Sequence, residues 1–200
     1  MDPKIQAVLD EYEARAAKEA ALMSDPNRRR DEMLLPVGAA TASLMSTIIK
    51  EGKMRSILEV GSSYGYSTIW LAEAARATGG KVISLELHAN KAEYARDRLA
   101  KAGLDGFVEF KIGDALETLR TLPGSFEFVL LDLWKNLYVP CFELLYPKLA
   151  TGGIILADNM LFPETAIPDA NAYRERVRAA KDMTSVLLSV GSGIEISRYR

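Results

Sequence analysis

The sequence contains very little cysteine and histidine. Its 200 residues include one Cys, Cys141, and one His, His88. A single Cys excludes a disulfide within the chain and any Cys-cluster metal site. A single His excludes sites that need two, such as the H-E-x-x-H zinc proteases. A bound metal ion is therefore expected to have mainly oxygen ligands.

Strong net charge and long apolar runs are also absent. The chain has 25 Lys plus Arg and 27 Asp plus Glu, a formal net charge of −2, which gives no electrostatic reason to expect a nucleic-acid partner. No stretch approaches the ~20 apolar residues of a membrane helix, and the first residues lack the apolar core of a signal peptide. We therefore expect a cytoplasmic protein without a membrane partner.

Length and hydrophobic pattern predict one α/β domain over residues 1–200. N-terminal helices are expected within 1–52, on the cofactor and substrate side of a core at 53–200. Strands and helices alternate in this core, which predicts a doubly wound, mostly parallel seven-stranded sheet with helices on both faces and an antiparallel C-terminal strand pair. The predicted strands are 56–60, 81–85, 108–112, 126–131, 153–157, 185–190 and 194–199. The predicted helices are 4–22, 38–51, 67–78, 90–102, 115–122, 138–149 and 172–181.

Polar residues follow the ends of five predicted strands. In open α/β sheets, ligands bind outside the carboxyl ends of the strands. Five polar strand ends on one rim therefore predict a binding site there. The groups are Glu59 with Gly61 and Gly65, then Glu86, Gly113 with Asp114, Asp132 through Lys135, and Asp158 with Asn159.

The turn after the first strand favours a nucleoside ligand. Its sequence from Gly61 to Gly65 is G-x-x-x-G, which differs from the G-x-G-x-x-G turn that holds a pyrophosphate. Glu86 lies 21 residues after Gly65, and an acid near this spacing typically binds ribose hydroxyls. On these residues alone, S-adenosylmethionine and a nicotinamide cofactor both remain open.

Several motifs together resemble those of the metal-dependent catechol O-methyltransferases. They are Ile57-Leu58-Glu59-Val60-Gly61, Gly65-Tyr66-Ser67, Glu86, Gly113-Asp114-Ala115, Leu131-Asp132-Leu133-Trp134-Lys135, Gly152-Gly153 and Ala157-Asp158-Asn159. This family of class I methyltransferases includes the caffeoyl-coenzyme A enzymes. The resemblance implies a Rossmann-like methyltransferase fold, S-adenosylmethionine as cofactor, and methylation of one hydroxyl of a small catechol-like phenol or other vicinal diol. It also implies a homodimer, since members are often dimeric.

The resemblance assigns roles to matching residues. Asp132, Asp158 and Asn159 correspond to the ligands of a divalent cation, usually Mg²⁺, with Mn²⁺ and Ca²⁺ as alternatives, and Lys135 corresponds to the general base. Met33, Trp134 and Pro163 match positions around the substrate mouth. The cofactor-binding positions implied are Val37, Glu59, Gly61, Ser63, Tyr66, Ser67, Glu86, Leu87, Asp114, Ala115, Asp132 and Trp134.

The sequence departs from the family pattern at the substrate end. Trp134 stands where many bacterial members have a second acid. A rough alignment places Val186 where animal enzymes have a substrate-binding glutamate, and Glu195 comes later in the chain. The basic run Arg28-Arg29-Arg30 either contacts an anionic substrate or forms a solvated turn.

Two other functions remain open at this level. A nicotinamide-dependent oxidoreductase is weakened by the missing pyrophosphate fingerprint and by the lack of an obvious Tyr-x-x-x-Lys pair. A non-catalytic nucleoside-binding module would leave the shared rim position of Asp132, Lys135 and Asp158 without a reason.

Overall fold

A computed structural model describes residues 1–20 and 30–200 of the chain. In these ranges the strands are β1 Ser56–Val60, β2 Lys81–Glu86, β3 Val108–Ile112, β4 Phe126–Leu131, β5 Leu149–Ala157, β6 Met183–Leu188 and β7 Ile194–Tyr199. The α-helices are α1 Pro3–Ala20, α2 Ala39–Glu51, α3 Tyr66–Thr78, α4 Ala89–Ala102, α5 Ala115–Thr121, α6 Tyr138–Leu145 and α7 Ile167–Arg178.

The seven strands form one sheet in the order β3-β2-β1-β4-β5-β7-β6. Neighbours from β3 to β5 are parallel, whereas β7 is antiparallel to both β5 and β6. The direction in which the sheet is wound reverses between β1 and β4, and such switch points are where open α/β sheets bind ligands. The predicted fold class is confirmed, including the antiparallel C-terminal pair.

Helices cover both faces of the sheet because successive strand residues point to opposite sides. Ile57, Phe128 and Leu130 pack in one apolar cluster with residues of α1, α2, α3 and α4. Leu58 and Val129 pack in a second cluster with residues of α5, α6 and α7. The N-terminal helices thus share an apolar layer with the core, while the single-domain organisation over 1–200 stays a prediction.

Several predicted boundaries near the C-terminus were wrong. β5 begins at Leu149 rather than at residue 153, because Gly152-Gly153 continues the strand instead of interrupting it. α7 begins at Ile167 rather than at residue 172, since Pro168 is tolerated in a first helical turn. β6 covers Met183–Leu188 rather than 185–190. The helix predicted over 138–149 ends at Leu145 and continues as a short 3₁₀ turn.

Part of the N-terminal prediction falls on residues that the structure does not describe. The helix predicted over 4–22 corresponds to α1 as far as Ala20, and Arg28 and Arg29 lie outside the described residues. Among residues 1–20 and 30–200, no helix combines the length and apolar character needed to cross a membrane.

Candidate active site

The register of the central strands brings three of the predicted strand ends together. Val60 of β1 pairs with Leu131 of β4, which pairs with Ala157 of β5. The ladder continues beyond the strands, since Asp132 N–H donates to Val60 O at 3.0 Å and Asp158 N–H donates to Leu131 O at 3.1 Å. Asp132 and Asp158 therefore leave neighbouring strands at the same level of the sheet, beside the turn after β1.

The glycine turn approaches the end of β4 too closely for any side chain at Gly61. Gly61 has a φ of 95°, and a Cβ there would lie 2.2 Å from the carbonyl oxygen of Asp132. Gly65 has a φ of 93°, and a Cβ there would lie 2.6 Å from Cβ of Ala95 on α4. Both positions require glycine because of this crowding and the left-handed backbone.

Glu86, the last residue of β2, supports the glycine turn that follows β1. Its carboxylate accepts hydrogen bonds from the backbone N–H groups of Ser63 at 2.8 Å and His88 at 3.0 Å. A carboxylate has about four acceptor positions, so these two bonds leave capacity for ribose hydroxyls. The adjacent Leu87 side chain is exposed and available to a ligand on the rim.

Glu59 is a fully buried carboxylate at the centre of a hydroxyl cluster. It accepts hydrogen bonds from Ser67 at 2.6 Å, Thr68 at 2.7 Å and Ser84 at 2.6 Å. Burial raises its pKa to about 7, although the three hydroxyl donors oppose this change. The cluster joins the first turn of α3 to β1 and β2. A direct cofactor contact by Glu59 or the Ser67 side chain stays a prediction.

Asp132 and Asp158 form a pair of carboxylates, the first partly buried with 18% of its side chain exposed and the second fully buried with an unused acceptor. Burial and then the nearby Asp132 raise the pKa of Asp158 to about 7. Burial also raises the pKa of Asp132, against the opposing effect of Lys135. Within the described part of the chain, Oδ1 of Asp158 is buried without a hydrogen-bond partner. Such an acceptor is costly unless something binds it.

These residues fit a hard divalent cation. Asn159 directly follows Asp158 and has a φ of 56°, a left-handed conformation that Asn adopts more easily than most side chains. Two carboxylates and an amide oxygen are the ligand types that Mg²⁺ and Ca²⁺ prefer. Residues 1–20 and 30–200 contain no group of three His, Cys, Asp or Glu side chains that could hold a metal ion, and this site combines two carboxylates with one amide.

Lys135 is held beside the carboxylate pair and its side chain is 9% exposed. Its ammonium donates to the Leu133 carbonyl at 3.1 Å and to the Tyr138 hydroxyl at 2.5 Å, and it lies 3.5 Å from Oδ1 of Asp132. Burial lowers the pKa of Lys135, while the charges of Asp132 and Asp158 act in the opposite direction. A lowered pKa suits a lysine that acts as a base.

Tyr138 is a residue of this site that the sequence analysis missed. Its hydroxyl is fully buried, and its one proton is shared between the carbonyls of Leu131 at 2.8 Å and Asp158 at 3.1 Å. Its ring lies 4.4 Å from the Lys135 ammonium. It therefore joins the ends of β4 and β5 and supports Lys135. The available signal was its position three residues after Lys135 on a predicted helix.

The remaining predicted cofactor residues are distributed along the rim and below it. Asp114 caps α5 by accepting from Glu117 N–H at 3.0 Å, and a cavity of about 470 Å³ lies beside it. Ala115 is the first residue of α5. The Val37 side chain is buried, and so is that of Tyr66, which packs against Tyr12. We therefore expect Tyr66 to meet a cofactor through its backbone.

The predicted substrate mouth has exposed apolar side chains on loops. Trp134, Leu161 and Phe162 are all exposed, whereas Met33 is buried. The loop after β5 is joined to the β6–β7 turn, because Leu161 N–H donates to Ser192 O at 2.9 Å.

Glu195 does not replace the missing substrate glutamate. It is fully buried and accepts from Arg178 through both carboxylate oxygens at 2.9 and 3.2 Å, and from Ser185 at 2.6 Å. Val186 on β6 is exposed and has no polar group to offer a substrate. A second hydroxyl of the substrate is therefore not held by either of these positions.

The sheet order, with β7 antiparallel between β5 and β6, and the glycine turn at the switch point are those of the Rossmann-like, S-adenosylmethionine-dependent methyltransferases. Comparison with known proteins agrees with this class. Residues 58–160 match the family model described as a methyltransferase domain. Caffeoyl-CoA O-methyltransferase 1 from Nicotiana tabacum is 30% identical over 174 residues, which cover 82% of this chain and 72% of that protein.

Two further relatives show the same relationship. A catechol O-methyltransferase from Mycobacterium tuberculosis is 34% identical over 128 residues, which cover 64% of this chain and 58% of that protein, less than two thirds of its length. An O-methyltransferase from Streptomyces achromogenes, whose crystal structure was solved in complex with S-adenosylmethionine, is 25% identical in sequence. The two structures superpose with a TM-score of 0.79, and the match covers 100% of this chain and 90% of that one. The chain belongs to the methyltransferase family that contains the catechol and caffeoyl-CoA O-methyltransferases.

Proposed function

We propose that the chain transfers the methyl group of S-adenosylmethionine to one hydroxyl of a small vicinal diol, with a catechol-like phenol as the first candidate, and that it needs a divalent cation. The observation that supports this proposal most directly is the carboxylate pair of the partly buried Asp132 and the buried Asp158, which lies beside Lys135 on the rim next to the Gly61 turn. The relatives are named for catechol and caffeoyl-CoA O-methylation, which supports the same chemistry.

Asp132, Asp158 and Asn159 are the residues that would hold the cation. The unpartnered Oδ1 of Asp158 supports this assignment, and so do the raised pKa values of both carboxylates, because a cation would offset their mutual repulsion. When bound, a divalent cation acts as a Lewis acid that lowers the pKa of a coordinated hydroxyl. Mg²⁺ is the first candidate, followed by Mn²⁺ and Ca²⁺.

Lys135 is proposed to accept the proton of the substrate hydroxyl. The Lys135 ammonium has three N–H groups. Two of them donate to neutral acceptors, the Leu133 carbonyl and the Tyr138 hydroxyl, and the third faces Asp132. Neutral Lys135 keeps its hydrogen bonds to the two neutral acceptors and would use its lone pair for the proton of the substrate hydroxyl. As this lone pair takes the proton, the substrate oxygen bonds to the methyl carbon and the carbon–sulfur bond breaks. The products are a methyl ether and S-adenosylhomocysteine.

The close approach of the Gly61 turn to the end of β4 serves the alignment of donor and acceptor. The cofactor residues on this turn and the acceptor residues after β4 are in direct backbone contact, so the two substrates would meet across a short, rigid distance. Holding the reacting atoms in line can account for a large part of an enzymatic rate enhancement. A homodimer and a cytoplasmic location stay predictions.

A methyl-transfer assay tests the proposal. The protein is incubated with S-adenosylmethionine and either catechol or a hydroxycinnamoyl ester, with Mg²⁺ or with a chelator. We expect methyl ether formation that requires Mg²⁺, and its loss in Asp158→Ala and Lys135→Met. Asp105→Asn changes an exposed acid that precedes β3, at the opposite end of this strand from the rim, and serves as the control. Full activity in the presence of chelator would contradict the cation requirement. Tight binding of a nicotinamide cofactor without binding of S-adenosylmethionine would contradict the whole proposal.

A further inference from the structure

The glycine turn at residues 61–65 has an unusual backbone that must be held from outside. Gly61, Ser63 and Gly65 all have positive φ values, of 95°, 48° and 93°. A positive φ is unfavourable for serine, and such a conformation persists only where surrounding contacts determine it. From β2, the Leu85 carbonyl accepts from Gly61 N–H at 3.0 Å, and Glu86 accepts from Ser63 N–H. These contacts leave Tyr64, the fourth residue of the turn, to be held by other parts of the chain.

Tyr64 is held by residues from the N-terminal part of the chain. The Tyr12 hydroxyl donates to the Tyr64 carbonyl at 2.5 Å, and the Tyr64 hydroxyl donates to the Glu32 carbonyl at 3.1 Å. The Arg15 guanidinium lies 3.9 Å from the centroid of the Tyr64 ring. Tyr12 itself is buried, with 1% of its surface exposed, so its hydroxyl is directed at the turn rather than at solvent.

The same face of α1 also reaches the segment that leads to Val37. Arg15 forms an ion pair with Glu19 at 2.8 Å, and the Glu19 carboxylate accepts from Leu34 N–H at 2.5 Å. Residues 12, 15 and 19 have the i, i+3, i+7 spacing of one helical face. One face of α1 therefore contacts both the cofactor turn and the segment expected to close over the cofactor.

We propose that α1 is a positioning element for S-adenosylmethionine, and that Tyr12 is the residue through which it acts. By holding the Tyr64 carbonyl, Tyr12 fixes the peptide between Tyr64 and Gly65 and so the backbone of the turn that faces the cofactor. It does not touch the reacting atoms. This inference rests on the proposed function, because it takes the turn as the binding site of the methyl donor.

Tyr12→Phe is the direct test, since it removes one hydroxyl and keeps the buried ring. Loss of a net hydrogen bond worth about 1 kcal/mol predicts that S-adenosylmethionine binds about fivefold more weakly in calorimetry. The KM for S-adenosylmethionine rises by the same factor, while kcat at saturation and the KM of the acceptor stay unchanged. The amides of residues 63–65 exchange hydrogen faster in the variant.

Two control variants separate positioning from general stability. Val8→Ala removes two buried methyl groups from α1 and no hydrogen bond to the turn, so it should lower the melting temperature and leave the affinity for S-adenosylmethionine unchanged. Tyr146→Phe removes a tyrosine hydroxyl that donates to Asp182. This variant should bind S-adenosylmethionine as tightly as the unsubstituted protein does. Equal affinity in folded Tyr12→Phe, or equal weakening in Val8→Ala, would overturn the inference.

Arg15→Gln provides a second test if Tyr12→Phe does not fold. It removes the cation above the Tyr64 ring from a partly exposed position, and loss of a contact of this kind predicts about threefold weaker binding. Unchanged affinity in this variant would then overturn the inference. If the unsubstituted protein itself fails to bind S-adenosylmethionine, the proposed function fails, and that result is distinct from a failure of the positioning role.

Discussion

The chemistry of Lys135 depends on the residues that surround its ammonium group. Tyr138 and the Leu133 carbonyl hold it in one orientation, and burial favours the neutral amine. The same Tyr138 hydroxyl bonds to backbone carbonyls at the ends of β4 and β5. One buried phenol therefore connects the position of Lys135, the proposed base, to the ends of the strands that lead to Asp132 and Asp158.

Replacing Tyr138 with Phe should slow catalysis more than it weakens substrate binding. Lys135 loses its shortest hydrogen bond, and the two carbonyls lose a donor, so we expect kcat to fall about tenfold and stability to fall by about 1–3 kcal/mol. Steady-state kinetics and denaturant unfolding measure the two effects. Tyr173→Phe, which removes a hydroxyl from the ring packed 5.4 Å from Tyr138, is the matched control. A kcat equal in the two variants would show that Tyr138 does not position the base.

Glu59 should make the stability of the protein depend on pH. Its pKa of about 7 in the folded protein lies above the ordinary value of 4.5, so between these pH values the folded state holds a proton that the unfolded chain has released. The stabilisation from this proton is therefore complete below about pH 4.5. As the pH rises towards 7, the free energy of unfolding falls by roughly 3 kcal/mol in total.

Glu59→Gln removes this titration and keeps an acceptor for the hydroxyl cluster. We expect the free energy of unfolding, measured in denaturant at pH 5 and pH 8, to fall less between the two pH values in the variant than in the unsubstituted protein. Glu93→Gln, at an exposed position of α4, is the control. The same pH dependence in all three proteins would be incompatible with a protonated Glu59 in the folded state.

At the scale of elements, an ion pair joins α7 to the C-terminal strand pair. The buried Glu195 of β7 is bound by Arg178 of α7, with Arg174 3.4 Å away and Ser185 of β6 as a further donor. This arrangement explains why the late position of Glu195 in the sequence does not provide a substrate ligand. Its carboxylate stabilises the packing of a helix on the sheet edge.

Arg178→Gln should destabilise the protein by about 2 kcal/mol. The substitution leaves a buried carboxylate with fewer donors, and the cost is moderated because Arg174 and Ser185 remain. Arg176→Gln is the matched control, since Arg176 pairs with Glu143 at the surface and such pairs contribute less than about 1 kcal/mol. Denaturant unfolding compares the variants. An equal loss in both would mean that Glu195 is not effectively buried.

At the scale of the whole molecule, a cation held by Asp132 and Asp158 would stabilise the fold. A ligand that binds the folded state alone raises its stability according to its concentration relative to its Kd. We therefore expect millimolar Mg²⁺ at pH 8 to raise the melting temperature of the protein. In Asp158→Asn the increase should disappear, because the site loses the charge of its unpartnered ligand.

Asp105→Asn is the control for this thermal measurement, since it removes an acidic side chain outside the site. The increase in melting temperature should persist in this variant. A Mg²⁺ effect of the same size in Asp158→Asn would assign the stabilisation to other acidic groups on the surface. This experiment needs no methyl donor or acceptor, so it tests the cation site independently of the assay for methyl transfer.

Much of the fold followed from local patterns. The alternation of apolar strands with helices predicted the sheet, and the polar residues after each strand predicted the rim, because both depend on neighbours in the chain. The errors at β5, α7 and β6 had a different origin. Whether Gly152-Gly153 continues a strand is decided by pairing with β4 and β7, and periodicity does not report that pairing.

The sequence by itself determined the sheet class, the oxygen-rich character of any metal site, and Asp132, Lys135, Asp158 and Asn159 as candidates for the chemistry. Only the tertiary structure decided that Tyr138 supports Lys135, that Asp158 has a free acceptor, that Glu195 belongs to an ion pair, and that Tyr12 bonds to the glycine turn after β1. The physical reason is that burial and hydrogen-bond partners come from segments far apart in the chain. Tyr12 and Tyr64 are separated by 52 positions, and their contact exists only once α1 has packed on the core.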